Sequence, residues 1–78
     1  MVQRDAKREY EITRNDIANL MGFFECELDK EPKNILWGDV GDLKYVRHQL
    51  IEALAFMARL RTADVKRSLE ELRPQEND

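Results

Sequence analysis

The chain has 78 residues, 42% of them hydrophobic and 37% charged, with a formal net charge of −3 and a single cysteine. That length fits one domain, and one cysteine excludes an internal disulfide. No run approaches the ~20 consecutive apolar residues of a membrane span. The polar, mixed-charge stretch 1–14 has no apolar export segment, so the expected setting is reducing and cytoplasmic.

Three glycines and two prolines among so many charges suit long helices rather than many short strands. Domains below about 70–80 residues rarely hold together on one core without a disulfide, a metal or oligomerisation. Cys26 is alone and no Cys/His cluster has zinc spacing, so oligomerisation remains and a homodimer is expected.

Residues 1–11 alternate in sign around Ala6 and Tyr10 and read as a mobile lead-in to a helical domain spanning 12–73. The first helix is predicted to begin at Thr13. Thr13 and Asp16 have the spacing of a capping box, and Ile12 and Ile17 that of a hydrophobic staple. Ile17, Leu20, Met21, Phe24 and Leu28 then recur at helical intervals and give one apolar face. Gly22 inside this helix costs roughly 1 kcal/mol relative to alanine.

Pro32 ends the helix by biasing Glu31 towards extended backbone. The connection from Lys30 to Gly38 carries three consecutive large apolar residues, Ile35, Leu36 and Trp37. A fold back over the end of the helix pair is the commoner arrangement; an exposed binding patch is the other.

Asp39 reads as the next N-cap, with Asp42 favouring the positive end of the helix dipole. The second helix is predicted to run to about Arg61, roughly 33 Å against ~25 Å for the first. Leu43, Val46, Leu50, Ala53, Met57 and Leu60 form a heptad-spaced stripe along it. Ile51, Leu54, Ala55, Phe56 and Ala58 make its C-terminal half apolar on nearly every side, and such a helix needs more than one neighbour.

Val65, Leu69 and Leu72 continue the helical spacing on a different face, about 140° from Leu60. A bend with Thr62 as a new cap and Asp64 in the first turn accounts for the change. The alternative is one unbroken helix on which Ile51, Ala55 and Ala58 line up with Val65 and Leu69. Pro74 opens a polar tail, 74–78.

Charge is unevenly spread. Residues 15–42 hold seven acids against two cations, and residues 43–67 hold six cations against two acids. In an antiparallel hairpin, Glu25, Glu27, Asp29, Glu31, Asp39 and Asp42 crowd the loop end. Arg14, Arg59, Arg61, Lys66 and Arg67 crowd the other. Lys44 and Arg47 are the nearest compensating cations within the chain. A second copy laid antiparallel sets acidic end beside basic end.

The expected architecture is therefore all-α: an antiparallel helical hairpin with a short third C-terminal helix, dimerising into a four-helix-type bundle. The candidate dimer interface is Leu43, Val46, Leu50, Ile51, Leu54, Met57 and Leu60. The candidate partner patch is Ile35, Leu36 and Trp37 with Glu25, Glu27 and Asp29; tryptophan is enriched among residues that dominate interfaces.

Chemistry-bearing motifs are sparse. His48 and Glu52 stand four apart on one helix face and read as a surface ion pair. One histidine without a Glu-x-x-His pair does not make a di-iron site. No phosphate loop, nucleophile–base pair or G-x-S-x-G motif is present, and Cys26 between two acids lacks the electropositive surroundings of a reactive thiolate. No catalytic, cofactor or metal residue is assigned. The expected function is a small homodimeric protein–protein interaction module without catalytic activity, an adaptor or regulatory subunit. The alternative is a nucleic-acid-associated regulator using Arg59, Arg61, Lys66, Arg67 and Arg73, against which the acidic balance counts. A membrane-surface role is set aside because the second helix is apolar over too much of its perimeter.

Overall fold

The computed structural model describes the backbone of residues 2–74 and the side chains of residues 5–74. Among these residues every element is helical: α1 Val2–Asp29, α2 Trp37–Ala58 and α3 Thr62–Leu72. The chain divides into two compact units, Met1–Lys33 and Asn34–Asp78.

The first unit is α1, 28 residues and about 42 Å long. It starts well before Thr13, and the residues read as a lead-in are helical from Val2. The reason is local: Gln3, Arg4, Ala6, Lys7, Arg8, Glu9 and Glu11 are strong helix formers, Asp5 sits in the first turn, and nothing before Thr13 breaks a helix. Thr13 and Asp16 therefore lie inside the helix, and their capping arrangement is not its start. At 100° per residue Ile12 falls on the far side from Ile17, so the two do not form a staple. Tyr10, Thr13, Ile17, Leu20, Met21, Phe24 and Leu28 share a sector about 100° wide. The helix ends as expected before Pro32, with the Lys30 N–H donating to the Glu27 carbonyl at 3.2 Å.

In the second unit, α2 begins two residues earlier than its predicted cap. Leu36 is the N-cap, extended at φ −108°, ψ 163°. Its side chain has no acceptor, so only the reciprocal half of a capping box forms: the Leu36 N–H donates to Asp39 Oδ2 at 2.9 Å. Asp39 thus works from the third helical position instead of as the cap. The Leu36 carbonyl accepts from the Asp39 and Val40 N–H groups at 3.0 and 3.3 Å.

The far end of α2 also departs from expectation, stopping at Ala58 instead of running to about Arg61. Arg59 takes the left-handed conformation, φ 60°, ψ 40°, and its N–H donates to the Ala55 carbonyl. The Leu60 N–H donates to the same carbonyl at 2.9 Å, the bond of a Schellman end. Glycine is the usual occupant of that position because L side chains are strained there by about 1–2 kcal/mol. With arginine in its place, the chain carries no residue-type signal for the stop.

The break expected near Thr62 is present, but the cap is Arg61, extended at φ −81°, ψ 149°, and Thr62 is the first helical residue. The Arg61 carbonyl accepts from Asp64 and Val65 at 3.0 and 3.3 Å. Its guanidinium reaches forward to the Asp64 carboxylate, Nε to Oδ2 at 3.2 Å and Nη2 to Oδ1 at 3.3 Å. The turn folds α3 back along α2. Ile51 and Ala55 of α2 and Val65 of α3 are buried at 6%, 6% and 5% exposure, with Leu69 packed against them. These residues align on a continuous helix too, yet here they meet across the bend.

Candidate functional site

α2 has two apolar faces, and α3 covers one. At 100° per residue Ile51 and Ala55 point one way, and Leu43, Val46, Leu50, Leu54 and Met57 fill a sector centred about 120° from them. Val46 is half-buried; Leu43 and Leu50 are exposed, and Leu54 and Met57 keep 51% and 71% of their surface open. Leu60, also exposed, lies past the end of the helix in the connection to α3. Of the residues assigned to a dimer interface, Ile51 is thus taken up in the α2–α3 core, and the others line the open face or its end.

The apolar run before α2 does not fold back under cover. Ile35, Leu36, Trp37 and Val40 frame an open depression of about 370 Å³. Trp37 is 85% exposed. Extended backbone at Leu36 sends the chain straight into α2, which leaves Trp37 as the first helical residue with its indole outward. The acids assigned with this patch, Glu25, Glu27 and Asp29, are exposed on α1 in the other unit. Glu27 pairs with Lys30, Oε1 to Nζ at 3.0 Å. No cation lies in the last turn of α1 to offset the negative end of its dipole.

The five cations assigned to a nucleic-acid surface do not share one face. The Arg59 guanidinium lies over the Phe56 ring, 6.0 Å from its centre. Arg61 is engaged with Asp64. That hydrogen bond, ahead of charge attraction, holds the Asp64 carboxyl below its ordinary value and raises Arg61. Lys66 and Arg73 flank the buried side of α3, whereas Arg67 points about 100° further round. Lys66 and Arg73 instead join Arg47, with Ile51, Leu69 and Glu70, around a cleft of about 250 Å³ between α2 and α3. Sequence reasoning placed Arg47 elsewhere, because only a fold-back at Arg59 brings it to the end of α3.

His48 Nε2 lies 2.8 Å from Glu52 Oε1, the expected one-turn pair. Among the described residues no group of three His, Cys, Asp or Glu side chains is arranged to hold a metal ion. None of the described helices is long and apolar enough to cross a membrane. Cys26 is an exposed thiol on α1, on the side opposite the Ile17 stripe. No family model, curated protein or solved structure matches the chain. The described residues present an apolar face of α2 that α3 leaves open, an exposed tryptophan and separate acidic and basic groups.

Proposed function

We propose that this chain is a small, non-catalytic protein–protein interaction module that works as a homodimer, an adaptor or regulatory subunit in a reducing, cytoplasmic setting. The observation that carries the reading is the open face of α2. Leu43, Leu50, Leu54 and Met57 lie exposed in one continuous stripe while the other side of the same helix is packed by α3. Three buried residues among those described make a slight core, and a contiguous exposed apolar stripe marks a contact surface. The arrangement we favour sets α1 and α2 as an antiparallel hairpin and brings two hairpins together as a four-helix bundle. Ile35, Leu36 and Trp37 then remain for a further protein.

Light scattering on the purified chain tests this. The expected mass is twice 9.3 kDa, falling to a single chain for Leu50→Lys with Leu54→Lys. A wild-type mass of one chain sinks the reading. Trp37→Ala separates the partner patch from the dimer: the expected result is unchanged mass and thermal stability, since little of Trp37 is covered.

A further inference from the structure

We propose that the cleft between α2 and α3, rimmed by Arg47, Lys66 and Arg73, receives the acidic C-terminal turn of α1 from a second copy of the chain. This rests on the dimer reading above and names where the two copies engage.

Arg47 of α2, Lys66 of α3 and Arg73, the extended residue that caps α3, converge over an apolar floor of Ile51 and Leu69, with Glu70 the one acid in the lining. Among the described residues none of the three forms an ion pair. Three cations against one acid leave the cleft with an excess of positive charge, which suits an anionic occupant with an apolar side chain to meet its floor. At about 250 Å³ it falls below the roughly 300–1,000 Å³ of small-molecule pockets. Its size suits side chains of a docking segment.

The end of α1 has the complementary chemistry. Leu28 lies on the apolar stripe, and Glu25 and Asp29 lie together on one flank of it. All three are exposed, and neither acid is in an ion pair among the described residues. The negative end of the helix dipole adds to their charge, and the adjacent cation, Lys30, is engaged with Glu27. A nucleic-acid backbone offers negative charge too, but the chain's net charge of −3 weighs against it. Two copies related by a two-fold axis make the contact twice, which closes the assembly.

The test uses two charge-swapped forms of the full chain, Lys66→Glu with Arg73→Glu, and Glu25→Lys with Asp29→Lys, each checked for helicity by circular dichroism. Sedimentation equilibrium should show each form self-associating at least about tenfold more weakly than wild type, since several exposed ion pairs become repulsive at once. An equimolar mixture of the two should recover wild-type affinity, because each swapped cleft then meets a swapped helix end. Lys66→Ala with Arg73→Ala should show a smaller loss in the same direction, and it replaces the swap if the swap unfolds. Wild-type association in both swapped forms overturns the proposal and leaves the dimer reading standing. A single-chain mass for the wild type overturns both. Recovery only when all four swaps share one chain means the chain's own α1 fills the cleft, and overturns it. So does a cleft swap that abolishes binding to random duplex DNA while leaving self-association intact.

Discussion

Replacing Ile51 with alanine tests whether the α2–α3 contact holds α3 in its helical form. The side chain is 6% exposed and touches the small cluster with Ala55 and Val65. Truncation removes three carbons, worth about 0.8 kcal/mol each, or roughly 2.4 kcal/mol. The cluster is open at its edges and collapses readily, so the cavity term is small and the loss lies near the lower end of the ~2–5 kcal/mol range for such changes. Alanine's better helix propensity offsets a few tenths, leaving a net loss of about 2 kcal/mol. The 11 residues of α3 are fewer than the roughly 12–15 an isolated helix needs in water. Losing the contact therefore melts α3 locally instead of merely loosening it. Amide hydrogen exchange reads this directly: the Val65 and Leu69 amides should exchange about 30-fold faster. Leu72→Ala, in the same helix but at an exposed position, should change them little. Unchanged exchange in Ile51→Ala, or equal acceleration in Leu72→Ala, refutes the packing argument.

Three other outcomes follow from the helix ends. Asp39→Ala removes the acceptor for the Leu36 N–H and should destabilise the start of α2 by about 1 kcal/mol, seen as faster exchange at Val40 and a change in Trp37 fluorescence; unaltered exchange contradicts the cap. Arg59→Gly relieves about 1 kcal/mol of left-handed strain and forfeits ~0.5 kcal/mol of contact with Phe56, so urea melts should show a gain of about 0.5 kcal/mol; Arg59→Val should lose stability instead. The Asp64 carboxyl is held below its ordinary value of 3.8, chiefly by the Arg61 hydrogen bond. Its contribution to α3 is present above that value and lost as pH falls through the depressed folded value, so helicity should drop on acidification below about pH 4, and Asp64→Asn should flatten that part of the curve.

What was legible in the chain tracks how local the governing physics is. The Ile17–Leu28 stripe, the stop before Pro32 and the His48–Glu52 pair each depend on neighbours within a turn or two, and each is present. Thr13 misled because a cap motif permits a helix to start without forcing it, and the residues before it are equally helical. The end at Ala58 was hidden because arginine occupies a position that glycine usually advertises. Asp39 was recognised as an N-terminal acid but misplaced by three positions, since a carboxylate serves either as cap or as the third-position partner. The cleft was out of reach altogether. Arg47 and Arg73 become neighbours only after the chain reverses at Arg59, and no spacing rule connects them. The sequence leaves both a covered and an exposed Trp37 open, because no spacing rule reveals that Leu36 is extended.

The proposed dimer depends on an apolar face of α2 that α3 leaves open. Thermal melts followed by circular dichroism across a hundredfold range of protein concentration test this most directly. If a second copy covers that face, the midpoint climbs with concentration, because assembly and folding are linked by mass action. A sharp, cooperative midpoint that stays fixed from the most dilute sample to the most concentrated contradicts it.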